Sequence, residues 1–314
     1  MNDILAQVLT AGTLAVILMK TAPILLAAVG GAFTQMGNIL NIGLEGMMLV
    51  GAFTAVAVGA FSGPWIGILA AMGAAGLLAL IFAIAALVFK ADFIVVGIGI
   101  NLLALGITVL LLIVLYGNAG VTPGDVKAFL PKIDLGPIGQ IPVIGAALNN
   151  QTILVWLAFL CVPLYAYVLY RTRYGVHLRA VGEDEPAAVA AGINVFNVKF
   201  IAILLSGLLC GLAGAQLAMA TVGSFTANMT SSRGFIALAA LTFGLGRPYR
   251  TLIACAIFGA ADALADRLVL GGVNSSLALT TPYVITIVAL VVVAVRVKAA
   301  FNARAKRALK FAGV

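Results

Sequence analysis

Two short stretches of this 314-residue chain gather the side chains that could recognise or pass a polar solute. The first is Asn38-Ile39-Leu40-Asn41-Ile42-Gly43-Leu44-Glu45-Gly46, two carboxamides and a carboxylate at a glycine-flanked break between apolar runs. A carboxylate at the centre of an apolar helix costs about 2.5–3.5 kcal/mol on insertion scales, so Glu45 needs a cavity or a partner. Near a helix start it could cap free N–H groups and complement the dipole, and direct contact with a solute is the other use open to it. The second stretch holds Ser224, Phe225, Asn228, Ser231, Ser232 and Arg233. Amides and hydroxyls pair with sugar oxygens and an aromatic face covers a ring, so this mixture suits a neutral, hydroxylated, ring-containing solute. Capping of a re-entrant turn is the plainer use for the same hydroxyls. The candidate pathway residues are therefore Asn38, Asn41, Glu45, Ser224, Phe225, Asn228 and Arg233. Asp262 and Asp266, one helical turn apart and beside Arg267, read as a local ion pair rather than a proton relay.

Reactive chemistry has little to work with. No Gly-x-x-x-x-Gly-Lys-Ser/Thr phosphate loop, His-Glu-x-x-His or Gly-x-Ser-x-Gly pattern occurs, so the chain cannot hydrolyse ATP by the usual route. His177 is the only histidine and falls in a basic loop, and Cys161, Cys210 and Cys255 lie far apart inside apolar runs. Neither a catalytic residue, a metal site nor a bound cofactor is expected. A carrier or pore is what this elimination leaves.

The elements that must hold these stretches are membrane helices. Apolar residues make up 63% of the chain and charged ones 9%, with a mean hydropathy of +1.19, so lipid is the solvent for most of its surface. The expected fold is all-α, one polytopic domain over residues 1–314 with about ten spans near 4–20, 22–37, 43–61, 66–89, 93–116, 153–170, 198–220, 233–246, 251–268 and 278–296. The second, third and eighth are glycine-rich or abut polar residues, which predicts broken or re-entrant helices lining a cavity. Asn41-Ile42 and Glu45-Gly46 also find an echo in Asn228-Met229 and Arg233-Gly234, as an inverted repeat of spans 2–5 and 7–10 would produce.

Thirteen of the eighteen Lys and Arg residues fall on one side of this arrangement, which predicts that side, with both termini, to be cytoplasmic. The formal charge of +8 thus reports topology, not nucleic-acid binding, for which no basic face exists. The start of the chain lacks the features of a cleaved secretory signal, so the first span is expected to be retained. Residues 117–150, with Pro123, Pro131, Pro137 and Pro142, form an external loop, a docking surface or a passive connector. Residues 171–197 form a cytoplasmic loop with a short helix, because Glu183, Asp184 and Glu185 surround Pro186 at a first-turn position ahead of an alanine run.

Three stretches resemble the permease subunits of the ribose, branched-chain amino acid and nucleoside ABC importer superfamily. Asn41-Ile42-Gly43-Leu44-Glu45-Gly46-Met47-Met48 with Gly51-Ala52-Phe53 is similar to the signature of its nucleoside and simple-sugar branch. Arg179 through Gly192-Ile193-Asn194, with Lys199 and the glycine-rich run from Ser206, resembles the family's cytoplasmic coupling segment, and Arg233 to Ala240 resembles a third, branch-specific stretch. Leu245-Gly246-Arg247-Pro248 departs from the tryptophan-containing turn usual in the branch.

The resemblance implies a bacterial inner-membrane subunit, not itself an enzyme, that forms the path for nucleosides, with a simple sugar such as ribose as the alternative. It implies three partners: a second, different permease subunit, cytoplasmic ATPases that use ATP and Mg, and an extracytoplasmic solute-binding protein. The ATPase-coupling residues would be Glu183, Asp184, Glu185, Pro186, Ala187, Ala188 and Gly192. An ion-coupled secondary transporter would use similar broken helices, but Glu45 and Asp262 without an Asp/Glu/His chain make a poor ion site.

Overall fold

The computed structural model describes residues 11–134, 136, 139, 144–270 and 284. In chain order they form α1 (Ala11–Met36), α2 (Leu44–Ser62), α3 (Pro64–Ala83), α4 (Phe93–Tyr116), α5 (Ile144–Leu148), α6 (Ile153–Arg171), α7 (Arg173–Glu183), α8 (Glu185–Ala190), α9 (Val195–Leu217), α10 (Arg233–Phe243) and α11 (Pro248–Leu270). Wide turns of π type extend α3 over Ile84–Val88 and α9 over Ala218–Val222. Among the described residues, six helical segments are long and apolar enough to cross a membrane: Gly12–Met36, Leu44–Ser62, Pro64–Val88, Phe93–Tyr116, Ile153–Arg171 and Val195–Ala220. Apart from Val284, the predicted span 278–296, and with it the last arm of the inverted repeat, lies outside the described residues.

Local sequence signals set the ends. Pro64 and Pro248 open α3 and α11, where a missing N–H costs nothing. Asp92 caps α4, its Oδ1 accepting from Ile94 and Val95 N–H at 2.9 and 3.1 Å, and Gly117 closes α4 with φ of 65°.

The first two predicted spans, 4–20 and 22–37, are not separate. One continuous helix, α1, runs through Thr21-Ala22-Pro23. Pro23 deletes a single intrahelical hydrogen bond, and α1 is packed on several sides by α6, α9, α10 and α11, so the loss does not break it. The consequence is topological. Ala15 and Met19 line a cavity with Lys132, Asn149 and Asn150, whereas Gln35 and Met36 line another with Arg179 and Arg247 at the opposite end. The N-terminal end of α1 therefore lies at the end of the 117–150 loop, opposite the basic loops, and residues 1–10 ahead of it lie outside the described residues.

Glycines let the core helices touch. Gly51 on α2 faces Gly211 on α9, where an added Cβ would come 2.8 Å from the Gly211 Cα, and Gly214 abuts the Met48 carbonyl. At the far end, Lys132–Ile133 pairs antiparallel with Gln151–Thr152. The stretch from Gly120 to Leu130 also lies along Met219–Ala227: Thr122 N–H donates to the Phe225 carbonyl at 2.9 Å, Ala227 N–H to Gly120 at 2.8 Å and Ala128 N–H to Gly223 at 2.9 Å.

Candidate functional site

The polar segment ahead of α2 and the one ahead of α10 meet inside the bundle. Ser206, reached by Asn41, stands eleven residues into α9, about 16 Å from its start at 1.5 Å per residue, which is half of a roughly 30 Å hydrocarbon core. The Asn41 side chain closes a turn by accepting from Gly43 N–H at 3.0 Å and donates to Ser206 Oγ at 3.0 Å. Asn101 on α4 clamps the other side, accepting from Gly46 N–H at 2.8 Å and donating to the Ile42 carbonyl at 3.0 Å. A break in the backbone at this depth exposes peptide groups that lipid cannot satisfy, and these amides take that role.

Glu45 sits in the first turn of α2 but caps another helix. Its two carboxylate oxygens accept from Ser232 N–H at 2.9 Å and Gly234 N–H at 2.6 Å, the leading edge of α10. That helix has 11 residues, about 16 Å, too short to cross alone; it starts inside the bundle and leads to Gly246 against Met36 at the basic end, so of the two forms expected for the eighth span it is a broken helix, not a re-entrant one. Two charge-assisted hydrogen bonds and the positive end of α10 together hold a buried carboxylate in place. The turn leading in is conformationally demanding: Asn228, Ser231 and Ser232 have φ of 55°, 45° and 65°, a region that side chains other than glycine adopt at a cost.

Arg233 extends the site sideways. Its guanidinium meets Asp262 of α11 at 3.1 Å, and Lys20 of α1 meets Asp262 at 3.6 Å and Asp266 at 2.7 Å. The two aspartates thus pair across helices and not with Arg267. α1, α10 and α11 are tied by charge where lipid would make any one unpaired charge costly.

The other candidates are dispersed. Asn38, with φ of 58°, turns the chain after α1 near Gly182 at the basic end, away from Glu45. Phe225 is fully buried, its ring edge-on to Phe53 with centroids 5.2 Å apart. Ser224 is half-buried and Asn228 exposed on the turn above α10. Lys20, Asn101 and Ser206 belong to the polar centre, and none of the three is among the candidates that the sequence offers. Isolated polar residues in apolar runs were the available signal.

Over residues 13–295 the chain matches the family described as branched-chain amino acid transport system / permease component. It belongs to that family. The guanosine ABC transporter permease NupQ of Bacillus subtilis is 37% identical over 288 residues, covering 87% of this chain and 89% of its own length. The nucleoside ABC transporter permease NupC of Lactococcus lactis is 36% identical with the same coverage. A solved inward-facing ABC transporter shares the fold with a TM-score of 0.50 at 17% identity, over 88% of this chain and 84% of its own. The chain is a multi-pass ABC permease subunit and not an enzyme.

In this permease the segment from Glu183 to Gly192 forms a compact corner. Glu183 ends α7, and Asp184 caps α8 by accepting from Ala187 N–H at 3.0 Å. Pro186 stands in the first turn, Ala188 is buried, and Gly192 leaves the helix with φ of 79°, as its place after α8 demands. Behind the corner, Tyr174 donates its hydroxyl to the Val198 carbonyl at 3.2 Å, and burial raises its pKa so that it stays a donor. His177 is exposed on α7.

Proposed function

We propose that this permease forms the path by which nucleosides enter a bacterium across the cytoplasmic membrane, driven by ATP hydrolysed on a separate subunit. One observation carries the reading: two relatives named for guanosine and for nucleosides match it along nearly its whole length at 37% and 36% identity. The polar centre suits such a cargo, since Ser224, Asn228 and Arg233 supply a hydroxyl, an amide and a guanidinium for ribose oxygens and base edges. Glu45 and Asn41 are taken up by protein partners, so their role here is to position α10 and α2, not to grip the solute.

The basic loops at 90, 171–199 and 247–250 face the cytoplasm, which directs the N-terminal end of α1 outward. α8 docks on the ATPase, a second and different permease completes the path, and a solute-binding protein delivers cargo at the end of the 117–150 loop. The test is uptake of labelled adenosine, uridine and ribose in cells with and without the gene, with ATP depleted independently of the membrane potential. Nucleoside uptake lost with the gene and with ATP is the expected result. Uptake of ribose alone would reassign the cargo, and uptake that follows the ion gradient would overturn ATP coupling.

A further inference from the structure

We infer that Lys199 is the positioning residue through which movement of α8 reaches the polar centre. This rests on reading α8 as the ATPase-docking helix. Lys199 lies in the second turn of α9 and is 7% exposed. Its ammonium donates to Glu185 Oε2, on the first residue of α8, at 2.7 Å and lies 6.0 Å from the centroid of Phe93, the first residue of α4. Among the described residues it is the single ion pair outside the Lys20 cluster.

The two membrane helices that Lys199 joins are the two that clamp the break before α2. Seven residues along α9 stands Ser206, hydrogen-bonded to Asn41, and eight residues along α4 from Phe93 stands Asn101, bonded to both Ile42 and Gly46. Helices transmit displacement along their axes with little compression, so a shift of Glu185 acts on both clamps at once. Glu185 is half exposed, free to follow a partner, while the Lys199 side chain is largely buried between α9 and α4. A cavity of about 320 Å³ lined by Lys90, Phe93, Glu185, Phe196 and Lys199 leaves the ammonium room to re-aim as the corner moves. An ion pair that only secured the loop would need neither the burial nor this contact with α4.

The experiment uses the complete transporter in proteoliposomes with solute and binding protein, reading moles of solute moved per ATP hydrolysed and the amount of ATPase retained on purification. Lys199→Met is expected to keep the ATPase bound, and both Lys199→Met and Glu185→Gln to lower the transport ratio about tenfold, the size of an ordinary coupling free energy. The exchange variant, Glu185→Lys with Lys199→Glu, restores the ratio. Three results overturn the inference: a wild-type ratio in Lys199→Met, an exchange variant no better than the single ones, or loss of the ATPase from Lys199→Met, which would make the pair a docking element. If α8 is not the docking helix, charge reversal at Glu183 leaves the ATPase bound, a failure separable from all three.

Discussion

Glu45 and Gly234, 189 residues apart, are joined by a 2.6 Å hydrogen bond from the Gly234 N–H to the Glu45 carboxylate. With the Ser232 N–H at 2.9 Å on the other oxygen, one side chain closes the start of a helix that belongs to the opposite half of the chain. Gly234 can only be glycine here, because a Cβ would stand 2.5 Å from the Glu45 Cα. The cap is thus a joint between halves, and moving α10 requires either carrying α2 along or breaking both bonds.

Glu45→Gln keeps one acceptor oxygen and discards the charge, so one of the two charge-assisted bonds is lost. The expected cost is about 2 kcal/mol, read as a lower melting temperature of the purified transporter, with uptake falling alongside. Glu45→Ala leaves both N–H groups without an acceptor and falls further. Equal melting of Glu45→Gln and the parent protein would mean that the start of α10 finds other acceptors.

Asp262 holds both Arg233 and Lys20, whereas Asp266 holds Lys20 alone and is half exposed. Asp262→Ala is therefore the damaging change, at about 3 kcal/mol, because it strands Arg233 beside α10. Asp266→Asn is mild, since Lys20 keeps Asp262 and water reaches the site. Thermal denaturation of the two variants in one detergent checks the order, and reversed ranks would refute this division of roles.

How far these relationships were legible depends on their range. Helices α4 and α6 read directly from their hydropathy, expected at 93–116 and 153–170 and found at Phe93–Tyr116 and Ile153–Arg171. The corner at Asp184 read equally well, because a cap, a proline and an alanine run are signals within one helical turn. Thr21-Ala22-Pro23 misled, since a lysine and a proline in an apolar run look like a loop whether or not another helix supplies an aspartate. The partner of Lys20 is more than two hundred residues away. Glu45 was legible as a residue needing a partner and as a cap, but not as the cap of α10. That pairing is set by packing, to which period and composition are blind.

At the corner, cap and charge can be separated. Asp184→Asn removes the charge but leaves an amide oxygen for the Ala187 N–H, so α8 persists, while Asp184→Ala costs about 1 kcal/mol of local stability. If α8 docks by its shape, ATPase co-purification survives Asp184→Asn and weakens in Asp184→Ala. If charge dominates, Asp184→Asn and Glu183→Lys weaken it together. Co-purification unchanged in all three variants would remove this corner from the docking surface.

A tight glycine contact between halves tests the helix framework itself. Gly214 of α9 packs on the Met48 carbonyl and the Ala52 amide of α2, and Gly211 packs on the Ala71 carbonyl of α3, where an added Cβ would come within 2.5 Å. These neighbours are backbone atoms, which cannot turn aside as a side chain end can, so Gly214→Ala must push α9 from α2. Overpacking of this kind costs about 1–3 kcal/mol. Because Ser206 travels with α9, the shift also stretches its bond to Asn41, so melting temperature and transport rate are expected to fall together. Gly99→Ala on α4 is the control, since nothing lies within 4 Å of the added methyl and alanine favours the helix. It should melt at or above the parent temperature and transport normally. Equal behaviour of the two alanine variants would mean that α2 and α9 are not in contact through Gly214.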